Sequence, residues 1–439
     1  MMTDFREKTF ALAIATLGTI AAPAHSSVLE GYIGGTSNRI SSDVPDVPGN
    51  RFFSDLYLGF DESDSRFPKR FTLSGRFNDE SLLMYSLQEA YIGNDVSGTK
   101  VFVGRKALDW ARVDKDWGLG KVNNRENFDF FRPGQEGLLG FNVIRNPREG
   151  FRIHAFISPM YVPELNPALD IDKKKRTVTS RNPWADPPSD SAEVEGSEKP
   201  IQYYIENPDL GKIVFNWSAG LQLGWSTRPW ALSGFYIRKP ENQISTNVSV
   251  TYNTGDDVIK AFVDPRVFHH DVFGGELRYE NADIEAWISA IGIRPNTFPT
   301  GDEEATRFTE IKTIKRREDY VSTGIGKNND RYGMALSYIA RLSPFDSEGD
   351  SLAVQPRWNQ ALGLKLRRAF TRTLAFSGDL KYDTLTLDRL LMIEGLYKFS
   401  PWGQLHVGAN MIGTDDRKNS FWRPYSNNDS IYSSIRYIF

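Results

Sequence analysis

Alternation with period two constrains this chain more than any other feature. Between Phe215 and Trp225, Phe215, Trp217, Ala219, Leu221, Leu223 and Trp225 share one side of an extended segment, while Asn216, Ser218, Gly220, Gln222 and Gly224 share the other. Successive strand side chains point to opposite faces, so one face is oily and the other polar or small. The pattern recurs along the chain. Leu374, Phe376, Gly378, Leu380 and Tyr382 oppose Ser377, Asp379, Lys381 and Asp383. Leu362, Leu364 and Leu366 oppose Gly363, Lys365 and Arg367, and Leu391, Ile393, Tyr397 and Phe399 oppose Met392, Glu394 and Lys398. Leu405, Val407, Ala409 and Met411 oppose His406, Gly408 and Asn410.

The alternating segments run about 10 to 14 residues. Strands of soluble proteins usually run nearer five or six, whereas a tilted strand crossing a bilayer needs about 9 to 11. A sandwich would hide its apolar face against a second sheet; strands this long fit a closed sheet whose outside meets hydrocarbon. The mean hydropathy of -0.44 fits such a sheet, because only every second residue meets lipid. No run of about 18 apolar residues suggests a spanning helix. Aromatic residues make up 13% of the chain, enough for two interfacial girdles. The fold class expected is all-β: a transmembrane antiparallel barrel of about 16–18 strands, 18 being the best count, because an even number puts both chain ends on one side and lets the first strand pair with the last.

Connections alternate between short and long. Asn146 to Glu149, Thr227 to Pro229, Asn281-Ala282, Asn328 to Asp330, Thr371-Arg372 and Ser400 to Gly403 read as turns. Longer links lie between them, roughly 112–137, 159–211, 239–268, 294–317, 343–357 and 415–428, with one short exception near Thr386 to Asp388. Short periplasmic turns and long external loops are the barrel pattern. The link 159–211 carries eight prolines and the basic run Lys173-Lys174-Lys175-Arg176, a composition that argues against strands and for an exposed external loop, the alternative being a cap, plug or oligomer contact. At the other extreme, Arg6 and Lys8 precede the mostly apolar stretch Phe10 to Ala22, and Ala22-Pro23-Ala24 offers a small-x-small cleavage site. Residues 1–24 are therefore expected to be a secretory signal peptide and 25–439 the barrel.

The chain ends on Ile435-Arg436-Tyr437-Ile438-Phe439, with Ile431, Ile435, Tyr437 and Phe439 on one face. Together with the leader and the alternation, this resembles the terminal strand of Gram-negative outer-membrane β-barrel proteins, and the mature chain as a whole looks like a porin. The resemblance implies location in the bacterial outer membrane, contact with its lipid and with lipopolysaccharide, recognition of Tyr437 and Phe439 by the barrel-assembly machinery, and a homo-oligomer, a trimer being the family expectation. It also implies that the loop after the fifth strand folds into the lumen. By this count that loop is 112–137, and its charges Arg112, Asp114, Lys115, Asp116, Lys121, Arg125, Glu126, Asp129 and Arg132 would form a constriction; the alternative is an ordinary external loop.

Pore selectivity comes from lining charges. The polar faces of the C-terminal half place Arg341, Lys365, Arg367, Lys381, Lys398, His406 and Arg436 in the lumen, with Asp379, Asp383 and Glu394 as acidic counterparts. This is either a modest anion preference or a wall of paired charges. The class expected is a passive channel for small hydrophilic solutes or ions; the alternative is a non-conducting oligomeric scaffold that organises lipid or mediates surface contacts. An enzyme is not expected: the five histidines form no H-E-x-x-H motif, and there is no G-x-S-x-G. No cysteine is present, which excludes thiolate chemistry and Cys-held metals. No cofactor or metal is expected, since Asp256-Asp257 and Asp415-Asp416 read as solvated loop acids. The net charge of -3 implies no nucleic-acid partner. The basic stretch Lys312, Lys315, Arg316 and Arg317 is a candidate for lipopolysaccharide phosphates.

Overall fold

The computed structural model describes residues 28–40, 50–62, 66–78, 83–126, 131–164, 169–180, 188–205, 209–253, 255–296, 309–311, 317–329, 331–343, 355–415, 420–426 and 429–439. The expected leader 1–24, Asp129, and Lys312, Lys315 and Arg316 lie outside these residues.

Eighteen strands form one closed antiparallel sheet. They are β1 (Val28–Ile40), β2 (Asn50–Asp61), β3 (Lys69–Asn78), β4 (Leu83–Val96), β5 (Thr99–Lys106), β6 (Leu138–Arg148), β7 (Phe151–Ser158), β8 (Ser218–Thr227) and β9 (Trp230–Pro240). The ring continues with β10 (His269–Glu280), β11 (Glu285–Pro295), β12 (Glu318–Asn328), β13 (Tyr332–Arg341), β14 (Gln360–Ala369), β15 (Leu374–Asp383), β16 (Arg389–Lys398), β17 (Gly403–Gly413) and β18 (Ser430–Ile438). Each strand pairs with its sequence neighbours, and β1 pairs with both β2 and β18, Tyr32 opposite Ile438. Phe439 completes the seam: its N–H donates to Gly31 O and its carbonyl accepts from Gly31 N, both at 3.1 Å. No edge is left open, which removes the unpaired backbone groups that an apolar surrounding cannot satisfy.

The alternation read from the sequence is the inside–outside alternation of the ring. Leu221, Leu223, Leu232, Ile288, Leu336, Leu362 and Val407 point outward, and each is roughly half exposed. So continuous an apolar belt is foreign to a monomer in water. One boundary differs from the sequence reading: β8 begins at Ser218, and Phe215 instead ends the short helix Leu210–Val214. Asp209 accepts from Gly211 N there, so a helical turn interrupts the alternation before it can extend backward.

Most short and long connections segregate to opposite ends of the ring; the four residues between β3 and β4 and the five between β15 and β16 are short links at the long-loop end. At the short-turn end, β4 and β5 are joined by Ser97-Gly98 alone, with φ of 53° and 77°, the backbone a two-residue hairpin requires. At the long-loop end, the expectation of a strandless 159–211 is corrected. That loop holds the hairpin Leu169–Asp172 and Thr177–Ser180 and the strands Ser191–Val194 and Ser197–Ile205. The last two join Val258–Arg266, Ser245–Asn253 and Thr309–Ile311 in a five-stranded sheet drawn from three successive long loops. Pro200 is tolerated because its strand has a neighbour on one side only at that point; parallel pairing with Val258–Arg266 begins at Ile201.

Candidate functional site in the barrel lumen

The connection between β5 and β6 turns inward. Its helix α1 (Arg112–Trp117) lies across the lumen and is capped by the wall. No side chain of the loop caps its N-terminus. Instead Arg112 N–H donates to Glu276 Oε2 of β10, and Val113 N–H donates to Ser289 Oγ of β11, each at 3.2 Å. These are groups a helix start otherwise leaves without acceptors. At the other end Gly118, at φ 74°, adopts the left-handed conformation that closes the helix, donating its N–H to Asp114 O. The Asp114 carboxylate then folds the following chain by accepting from Lys121 N at 2.7 Å and Val122 N at 3.1 Å.

Side chains anchor the loop to strands on several sides of the ring. Trp110 donates its indole N–H to His154 Nδ1 of β7 at 2.9 Å, and His154 is held in turn by Asn142 of β6. Trp117 donates to Ser322 Oγ of β12 at 2.9 Å. Arg112 pairs with Glu285 of β11 and with Asp116, and its guanidinium lies 3.7 Å from the Trp287 ring centre. Lys121 pairs with Glu318 at 2.9 Å, and Lys381 Nζ of β15 reaches Asp116 O at 3.3 Å. Near the loop's exit, Arg105 and Ser86 both bind Glu136, at 2.7 and 2.6 Å.

The wall answers with an apolar inner surface where the loop docks. Phe235, Ile237, Val272, Ile291, Ile293, Tyr320 and Ile339 face inward from β9 to β13 and bury Trp110, Val113 and Trp117. The sequence reading, polar inside and oily outside, missed this arc. Its signal was present: Phe235-Tyr236-Ile237 and Ile291-Gly292-Ile293 are apolar or small at consecutive positions, where one face should be polar. Also missed were Trp358 and Trp422 of two other long loops. They extend a buried aromatic row from Trp117, with ring centres 5.9 and 5.2 Å apart.

The charges expected in the loop do different things. Asp114 and Arg125, 3% and 8% exposed, are turned into the loop's own fold. Lys115 is exposed and pairs with Asp109 at 3.2 Å. Arg132 reaches the β18 wall, donating to Tyr432 OH at 2.7 Å; Tyr432 donates to Glu394, which also meets His406 Nδ1 at 3.3 Å. Glu126 accepts from Ser74 at 3.4 Å.

Of the proposed lining residues, Arg341, Lys365, Arg367, Asp379, Lys381, Asp383, Glu394, His406 and Arg436 occupy inward positions of β13–β18, and Lys398 sits at the short-turn rim. Their availability differs. Asp383 is 1% exposed, and its two oxygens accept from the backbone N–H groups of Asn359, Gln360, Leu385 and Thr386, so it holds the ends of two strands. Arg436 stacks 4.6 Å from the Tyr32 ring centre. Lys365 and Arg367 line a recess of ≈ 480 Å³ at the short-turn end with Arg112, Glu285, Lys327 and Trp287. Neither has an ion-pair partner among the described residues.

These features define a class: an 18-stranded closed barrel with an apolar belt and a lumen crossed by an inserted loop. No protein-family model and no curated protein matches the chain. Solved structures that resemble it include OccAB3 of Acinetobacter baumannii (9% identity, 94% of this chain and 99% of that one, TM-score 0.47). OccD3 (OpdP) of Pseudomonas aeruginosa has 11% identity over 95% and 92% of the two chains, with TM-score 0.46. A mutant of the Rh. blastica porin has 11% identity over 94% and 100%, with TM-score 0.41.

Proposed function

We propose that the chain is an outer-membrane diffusion channel of the porin kind, exported by way of the leader 1–24. One observation carries this reading: the loop between β5 and β6 crosses the lumen on hydrogen bonds to Glu276, Ser289, Ser322 and Lys381. A pore needs a narrow passage with fixed charges, and an inserted loop backed by a rigid wall supplies one. Five cations, Arg112, Arg278, Lys327, Lys365 and Arg367, line the recess against three carboxylates, Glu280, Asp283 and Glu285, an excess that favours small anions over cations. In this reading the apolar belt contacts outer-membrane lipid. Outward Gly378, Gly395 and Ala409 leave room for close subunit contact in a homo-oligomer, and Tyr437 and Phe439 serve assembly.

A second reading is favoured by the buried row Trp117–Trp358–Trp422. If that row closes the lumen, the protein is a non-conducting scaffold. Planar-bilayer recording of the detergent-purified protein separates the two. A channel produces stepwise currents with a reversal potential displaced toward anions in a salt gradient. A stably inserted, heat-modifiable protein that passes no current would sink the channel reading.

A further inference from the structure

We propose that the outer face of β8–β12, just below the long loops, is a binding surface for a phosphorylated glycolipid head group of the lipid A type. The proposal rests on the membrane reading above and names the place where one lipid is held.

The outward face changes character in steps along these strands. Leu232 and Leu277 are paired neighbours, and Ile288 pairs with Leu277 in turn, giving an aliphatic row. Two same-face steps further toward the long loops stand Tyr236 and Phe273, also paired. One more step brings Arg238, Asp271 and Arg294 into a single row across β9, β10 and β11. Each same-face step is about 7 Å along a strand. Hydrocarbon, aromatic and charged layers therefore follow one another in the order in which acyl chain, glycerol or sugar, and phosphate follow in a lipid.

The cations in the charged layer are incompletely matched. The Arg238 guanidinium stacks 5.8 Å from the Trp217 ring centre, and its Nε is buried without a hydrogen-bond partner among the described residues. The nearest carboxylate in the row, Asp271, is engaged by the Tyr236 hydroxyl at 2.6 Å. Two strands away, Asp319 alone serves both Arg294 at 2.8 Å and Arg317 at 2.7 Å. Three guanidiniums against two carboxylates leave positive charge in excess. The Arg294 guanidinium lies over Phe273, 4.8 Å from its ring centre. The Phe273 ring in turn lies across Gly292, where a Cβ would come within 2.6 Å of it. Planar guanidiniums fixed over aromatic faces are suited to phosphate oxygens. His269 lies beside Trp217, with ring centres 6.3 Å apart, and adds a ring to the same surface. Arg317 is the described end of the basic stretch singled out in the sequence.

Native mass spectrometry of the detergent-folded protein, titrated with bisphosphorylated lipid A, tests this. The wild type should retain one lipid, and the double variant Arg238→Gln/Arg294→Gln should weaken retention at least tenfold. Arg368→Gln is the control, because Arg368 also stacks on an aromatic residue, Phe370, but at the short-turn end; it should bind as the wild type does. Equal retention by the double variant overturns the proposal. So does equal binding of dephosphorylated lipid A or of phosphatidylglycerol. Heat-modifiable gel mobility of every variant establishes that the barrel has folded, so failure of the membrane reading would show there and not in the lipid titration.

Discussion

Two long connections of this barrel have opposite fates. The one between β5 and β6 goes inside and is hydrogen-bonded to the wall; the one between β7 and β8 stays outside and adds strands to an external sheet. Length does not decide between them, since the external one is the longer. Composition does. The inner loop brings Leu108, Trp110, Val113, Trp117 and Val122, all at most 2% exposed, against an apolar patch of the inner wall. The outer loop brings the exposed Lys173, Lys174 and Lys175 and few residues that need hiding. A loop enters a wet lumen only when the wall meets its apolar side chains and accepts its backbone groups, because an unpaired buried polar group costs more than the contact returns.

The contrast can be broken most severely at Trp117. Trp117→Ala should destabilise the folded barrel by about 3–5 kcal/mol through lost packing and the cavity left behind. It should also raise single-channel conductance; urea titration in micelles and bilayer recording measure the two effects. Asp114→Ala removes the acceptor of the buried Val122 N–H and the half-buried Lys121 N–H and should cost about 2–4 kcal/mol in the same titration. Ser322→Ala removes only the acceptor of the Trp117 indole, with an expected loss of about 1–3 kcal/mol and noisier open-channel current. On the outer loop, Lys174→Gln should stay within about 0.5 kcal/mol of wild type. An effect there as large as that of Ser322→Ala would undo the comparison.

The smallest effect concerns acid. In the external sheet, the Lys199 ammonium and the Tyr252 hydroxyl hold the Asp257 carboxyl below its ordinary value of 3.8. A depressed carboxyl contributes stability above that value and loses it as pH falls through its folded value. Acidification below about pH 4 should therefore raise amide exchange in 245–266 while leaving the gel mobility of the barrel unchanged. Asp257→Asn should remove that pH dependence.

The ring itself was legible because alternation is a local signal: Leu362 to Arg367 shows its two faces without knowledge of any other strand. The position of the inserted loop could be counted, but its docking could not be read. Ser289 and Ser322 look like ordinary polar-face residues until α1 lies over them, and Asp114 reads as a pore charge until its oxygens are seen on Lys121 N and Val122 N. Asp383 is the same case on the wall. Such roles depend on contacts between residues far apart in the chain, which periodicity does not encode. The external sheet was hidden for another reason: Pro200 and the basic run are surface composition, and composition is silent about parallel pairing with Val258–Arg266.

The anchors of the inner loop fall on strands that stand almost opposite one another. Trp110 is tied to β7 and Asp116 to β15, eight places apart in a ring of eighteen. A hollow thin-walled cylinder yields most easily by flattening into an ellipse. The loop is a spoke across that weak direction, so lateral pressure from a crowded bilayer meets a braced section rather than an empty tube.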